Sequence, residues 1–153
     1  MSATLSNTQP AVLLIEDDAA STELMRRALR KNGVDAIRAV TRCETAVDLL
    51  RSIDESRGEV PPKLILLDLN LPGYNGFDFL DRIRNDHTMP VVPVIVLSTS
   101  ACPDDIERAY RCHASAYVTK PHGFRQLCEL VARIVNFWLR DVILPYPRSQ
   151  RSS

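Results

Sequence analysis

Paired cysteines, an excess of charge of one sign and long hydrophobic runs are all missing from this sequence, and each absence closes a class of interpretation. The four cysteines, Cys43, Cys102, Cys112 and Cys128, form no Cys-x-x-Cys pair and have no histidine at zinc-finger spacing. Neither a disulfide framework nor a structural metal is therefore expected. Cys112 and His113 are neighbours, but a lone adjacent pair reads more simply as helix-end chemistry. Lysine plus arginine number 19 and aspartate plus glutamate also 19, leaving no net field to draw in nucleic acid or an acidic bilayer. The opening stretch MSATLSNTQP lacks a basic region followed by an apolar run. No window approaches the roughly 18 apolar residues of a membrane span. The expectation is a cytoplasmic chain with no nucleic-acid or membrane partner.

What the sequence does have is enough apolar material for one core: 153 residues, 45% of them hydrophobic, the size of one ordinary domain. Short apolar runs recur at AVLLI (11–15), DAIRAV (35–40), KLILLD (63–68), PVIVLS (93–98) and SAYVT (115–119). The first, third and fourth are apolar at nearly every position, as strands covered on both faces must be, while the second is more polar and reads as an edge. Between them, Leu24, Ala28 and Leu29, then Ala46, Leu49, Leu50 and Ile53, then Phe77, Leu80 and Ile83 fall at offsets of three, four and seven. Those offsets mark helices with one apolar face. Gly33 stops the first helix, and the Pro61-Pro62 and Pro90–Pro93 segments each lead into a strand.

Five β-α units in succession predict an α/β fold, a doubly wound five-stranded parallel sheet in the order 2-1-3-4-5 with five helices. Residues 1–10 are expected to be a disordered N-terminal segment and 11–139 the domain. Residues 140–153 are expected to be a hydrophobic extension ending in the polar tail PYPRSQRSS, with no effector domain beyond it.

In such a sheet, ligands bind outside the carboxyl ends of the strands. Glu16-Asp17-Asp18 follow the first strand, Asp68 ends the third, Ser98-Thr99-Ser100 follow the fourth, and Lys120-Pro121 the fifth. Carboxylates gathered there repel one another unless a cation is present. With two or three of them, a small oxygen-seeking ion that keeps several waters is the better match, which points to Mg²⁺ rather than caged Ca²⁺. Lys120 can neutralise an anion brought to Asp68, and Ser98 can donate to one of its oxygens. The set describes a site that accepts a phosphoryl group onto a carboxylate, with Asp68 the nucleophile. Singly, each residue has a plainer role: Asp17 or Asp18 as a helix cap, Asp68 a solvated strand end, Ser98 a turn residue, Lys120 a loop charge. Their joint occurrence after strands one, three, four and five favours the functional cluster.

The segments VLLIEDD, LILLDLNLPGYNG, VIVLSTS and AYVTKP resemble, in order and spacing, the four signatures of bacterial response-regulator receiver domains over about residues 11–137. That resemblance implies a flavodoxin-like fold, phosphorylation of Asp68, and Mg²⁺ ligated by Asp17, Asp68 and the backbone carbonyl of Asn70, with Glu16 acting through a metal-bound water. It further implies Ser98 and Lys120 as phosphate contacts, Ser98 and Tyr117 as the switch pair, Tyr117 turning inward, and a cis Lys120–Pro121 bond. Thr99 stands where a smaller residue is usual, and Glu16 replaces the more frequent first aspartate.

The loop ESRGEVPPK, the segment RNDHTMPVVPVIVLSTS and the ending FWLRDVILP are similar to single-domain regulators paired with phytochrome-type histidine kinases. The implied partner is such a kinase. A rival enzyme of the haloacid dehalogenase type would carry a second acid two residues after its nucleophile, where this chain has Asn70. A receiver-shaped module that is never phosphorylated is the other rival, and nothing is missing from the site to favour it. At the C-terminus, Leu127, Leu130, Val131, Ile134 and Trp138 are expected to face the sheet. Phe137, Leu139, Val142, Ile143 and Leu144 form a second apolar set, which predicts a homodimer through the last helix and its extension, the plainer reading being a tail that folds back over its own domain.

Overall fold

The computed structural model describes residues 10–69 and 76–145. The N-terminal segment up to residue 9, Asn70 and the tail from residue 146 lie outside the described residues. The elements run β1 (Val12–Ile15), α1 (Ala19–Lys31), β2 (Ile37–Val40), α2 (Cys43–Ser52), a 3₁₀ turn (Glu55–Arg57), β3 (Leu64–Asp68) and α3 (Gly76–Asn85). They continue with β4 (Val94–Ser98), α4 (Pro103–Arg111), β5 (Ala116–Thr119), α5 (Phe124–Ile134) and a π-helical segment (Val135–Asp141). All strand pairings are parallel and the order is β2-β1-β3-β4-β5, as the sequence predicts.

Because successive side chains of a strand point to opposite faces, the buried runs of β1, β3 and β4 feed two cores. Leu13, Ile15, Ile65, Leu67, Val94 and Val96 meet α2, α3 and α4 on one face. Val12, Leu14, Leu64, Leu66, Ile95 and Leu97 meet α1 and α5 on the other. β2 is half exposed, as an edge strand covered incompletely should be. At the opposite edge, the outward N–H of Tyr117 on β5 donates to the Tyr110 hydroxyl at 3.1 Å.

The helix faces largely follow the predicted periodicity. Leu24 is an exception: it is 40% exposed, and Met25, Ala28 and Leu29 carry the buried stripe of α1 instead. Ala28 and Leu29 keep the face that the periodicity predicts, and Asp18 caps the helix by accepting from Ser21 N–H at 2.8 Å. No helix among the described residues is long and apolar enough to cross a membrane.

Helix α5 buries Leu127, Leu130, Val131 and Ile134, with Trp138 packed partly against the same core. The helix then widens into π-helical turns, and Val135, which the periodicity missed, is 1% exposed. The widening rotates the residues that follow, so Leu139 also packs partly on its own domain, whereas Phe137 is 53% and Ile143 91% exposed. Arg140 Nη2 donates to Asn32 O at 3.0 Å and ties the segment to the end of α1.

That end is a Schellman turn. Gly33 N–H donates to Arg30 O and Val34 N–H to Leu29 O, both at 3.0 Å, with Gly33 left-handed at φ 81°. A Cβ at Gly33 would meet Arg140 Nη2 at an ordinary 3.5 Å, so the cost of adding one is conformational rather than steric. Gly33→Ala is expected to destabilise the fold by about 1–2 kcal/mol. Urea unfolding would show this as a lowered midpoint with an unchanged slope.

Candidate functional site

The carboxyl edge of the sheet is where the chain assembles its polar groups. Glu16 extends the β1 ladder, its N–H donating to Val40 O at 3.0 Å, and this holds its carboxylate over the edge rather than in solvent. Asp18 is committed to capping α1, so the plainer role weighed for that pair falls to it, and Asp17 is left beside the cleft. Asp68 closes β3, the central strand. Lys120 arrives because its N–H continues the β5 ladder to Ser98 O at 2.8 Å.

One carboxylate oxygen from each of Glu16, Asp17 and Asp68 lies within 4.8 Å of the others. Lys120 Nζ reaches Glu16 Oε2 at 2.9 Å and Asp68 Oδ2 at 3.4 Å. These residues line a cleft of about 430 Å³, together with Thr99 and His122.

Three acids share one ammonium here, and the electrostatics record the strain. Burial, reinforced by a hydrogen bond with Asp68 and opposed by Lys120, pushes Glu16 up from 4.5 to about 7. Burial works against the Lys120 ammonium, but Glu16 and Asp68 outweigh it and hold Lys120 above its ordinary value. A group of three carboxylates with one ammonium is suited to a divalent cation, and an all-oxygen donor set matches a hard one. Cys43, also buried nearby, is lifted to about 12 by desolvation, so its thiol is no nucleophile at neutral pH.

Glu16, Asp17, Asp68 and Lys120 are thus brought together as the sequence predicts. Ser98, fully buried at the end of β4, turns its Oγ toward its own loop, where it accepts from Ser100 N–H at 3.1 Å. Tyr117 packs against the core, and its hydroxyl already donates to Ser100 O at 2.7 Å. The expected cis Lys120–Pro121 bond is not found: the described residues contain no cis peptide, and the Lys120 ammonium reaches Glu16 and Asp68 from a trans bond. Asn70, the predicted carbonyl ligand, lies outside the described residues.

Sequence reasoning missed the hydrogen bond from Ser100 Oγ to Asp105 Oδ2 at 2.8 Å. The signal was present as a hydroxyl residue shortly before a Pro-Asp-Asp helix start.

The raised Glu16 value carries a definite sign. The folded state binds this proton more tightly than the unfolded chain, so the contribution to stability is full below 4.5 and is lost as pH rises through about 7. The metal-free protein is expected to lose up to about 3 kcal/mol over that interval. Saturating Mg²⁺ should flatten the loss, and apparent Mg²⁺ affinity should rise with pH up to about 7 as the ion displaces the proton. Denaturant unfolding across pH, with and without Mg²⁺, checks both.

The chain matches the response regulator receiver domain over residues 12–132. It is 35% identical to the response regulator Rcp1 of Synechocystis over 141 residues, 92% of this chain and 96% of that protein. Its fold superposes on the phosphorylated cyanobacterial phytochrome response regulator RcpA with a TM-score of 0.79 and 38% identity, covering 88% of this chain and 97% of that one. For the Mn²⁺-bound form of Rcp1 the TM-score is 0.76 at 34% identity, covering 88% of this chain and 98% of the other. With its flavodoxin-like strand order, its acid cluster and these relatives, the chain belongs to the response-regulator receiver family of two-component signalling, close to the phytochrome response regulators Rcp1 and RcpA.

Proposed function

We propose that this protein is a receiver-domain response regulator that accepts a phosphoryl group from a histidine kinase onto Asp68 in a Mg²⁺-dependent reaction. The observation that carries this reading is the placing of Asp68 at the end of the central strand between two further carboxylates and the Lys120 ammonium, 3.4 Å away. In the reaction an Asp68 carboxylate oxygen attacks phosphorus, the P–N bond of the donor phosphohistidine breaks, and the imidazole leaves and takes up a proton. Bound Mg²⁺ would neutralise the carboxylates and the incoming phosphoryl oxygens. Glu16, Asp17 and Asp68 are the described residues that would hold it, with the Asn70 carbonyl as a further ligand.

Lys120 then exchanges its pairing with Glu16 for a phosphoryl oxygen, and Ser98 donates to another. The added charge of about −1.5 to −2 gives both side chains a reason to move. Signalling follows through Tyr117 to another protein, or by return of the phosphoryl group to a relay; no enzymatic turnover beyond self-phosphorylation and self-dephosphorylation is involved. The kinship to Rcp1 and RcpA supports a phytochrome-type kinase as donor, in a cytoplasmic light-sensing pathway.

Asp68→Asn is expected to abolish labelling by acetyl phosphate, because an amide cannot form the acyl phosphate; undiminished labelling would move the acceptor elsewhere. Asp17→Asn should weaken Mg²⁺ binding roughly tenfold or more, while Lys120→Ala leaves it nearly intact and uncouples phosphorylation from the change at Tyr117. Equal Mg²⁺ affinity in the wild type and Asp17→Asn would defeat the metal assignment.

The exposed Phe137 and Ile143, with Val142 and Leu144 half buried, support a symmetric homodimer through α5 and its extension. Truncation after Asn136 should sediment as a monomer at micromolar concentration and the intact chain as a dimer.

A further inference from the structure

Ser100, half buried just beyond β4, takes part in a concentration of hydrogen bonds that acceptance of a phosphoryl group does not by itself require. Its N–H donates to Ser98 Oγ at 3.1 Å, and its carbonyl accepts from the Tyr117 hydroxyl at 2.7 Å. Its own hydroxyl donates to Asp105 Oδ2 at 2.8 Å and accepts from Cys102 N–H at 3.2 Å. One residue therefore touches, through its main chain, both the buried hydroxyl at the cleft and the aromatic on β5. Through its side chain it is fastened to the first turn of α4.

The side-chain bonds decide what the main chain can do. The N–H and C=O of Ser100 flank a single Cα, so a displacement of that Cα disturbs both contacts at once, and fastening the side chain fixes where the Cα sits. Asp105 is a half-buried carboxylate in the first turn of α4, where the helix dipole favours its charge, and a hydrogen bond to an ionised acceptor is stronger than a neutral one. A serine serving only as a turn former would need Cys102 N–H alone. The bond to Asp105 adds an anchor outside the turn.

We propose that Ser100, held by Asp105, is a positioning residue that keeps the Ser98 hydroxyl and Tyr117 in one linked arrangement before any phosphoryl group arrives. Its regulatory meaning rests on the reading of Asp68 as the phospho-acceptor: phosphorylation then acts on a loop whose two reporters already move together. Without the anchor, Ser98 could still meet a phosphoryl oxygen while Tyr117 stayed unlinked.

The test uses the full-length chain carrying 3-fluorotyrosine, observed by fluorine NMR in the metal-free, unphosphorylated state, with the Tyr117 signal identified by its loss in Tyr117→Phe. Ser100→Ala and Asp105→Ala should each move the Tyr117 signal in the same direction, and the double variant no further. The equilibrium constant for engagement of Tyr117 should fall by at least about tenfold, the scale of one hydrogen bond to a charged group. Ser100→Thr, which restores a hydroxyl, should return the signal toward wild type, and Mg²⁺ affinity should be unchanged in all of them, as a general loosening of the fold would not allow. An unmoved Tyr117 signal in either alanine variant, or no rescue by threonine, overturns the proposal. Acetyl phosphate labelling of the wild type is read separately. Its failure would sink the phospho-acceptor reading while leaving the unphosphorylated Tyr117 comparison to decide the role of Ser100.

Discussion

Mutual repulsion among carboxylates that the fold forces to the same edge is the constraint around which the rest of the molecule is arranged. Two of the three, Glu16 and Asp68, are withdrawn from water, at 4% and 9% exposure, so solvent does little to screen them. Lys120 answers this in part, by pairing with both. It does so at a cost, because an ammonium in that position is itself half desolvated. Burial first, and then the Asp68 carboxyl beside it, push Glu16 up to about 7 against the pull of Lys120. A site left in this condition responds to any change in charge, and that responsiveness follows from the sheet topology, since parallel strands deliver all their carboxyl ends to one rim.

The fold was legible because its strongest signals are redundant. β1, β3 and β4 are buried along their whole length, and only a sheet covered on both faces makes such runs soluble in one domain. The gathering of Glu16, Asp17, Asp68 and Lys120 follows from topology once strand order is known, so it too could be read ahead of coordinates. What escaped was set by contacts between loops. Leu24 was assigned to the buried stripe because it stands four residues before Ala28, but its neighbour Met25 also falls at helical spacing from Ala28 and Leu29 and fills that side of the core. The link of Ser100 to Asp105 depends on how a turn folds back on a helix, and no period in the sequence encodes that.

The C-terminal segment shows a third case, in which the pattern was correct and the geometry adjusted it. A regular helix would have divided the apolar residues after Ile134 cleanly between core and solvent. The π-helical turns redistribute them, drawing Val135 and Leu139 toward the domain beside Trp138, which keeps its expected face, while Phe137 and Ile143 remain outside. Arg140 completes the adjustment by satisfying the Asn32 carbonyl at the end of α1, a group that the helix geometry leaves without an intrahelical donor.

The Tyr110 hydroxyl on the outer side of β5 bears on how the molecule survives in a crowded solution. An open strand edge is a template on which a foreign strand can add by main-chain pairing. Here the outward donor of Tyr117 is already taken by a side chain from the preceding helix, and the strand is only four residues long. A strand adding at this edge would first have to displace that hydroxyl, which raises the barrier to extending the sheet along this flank.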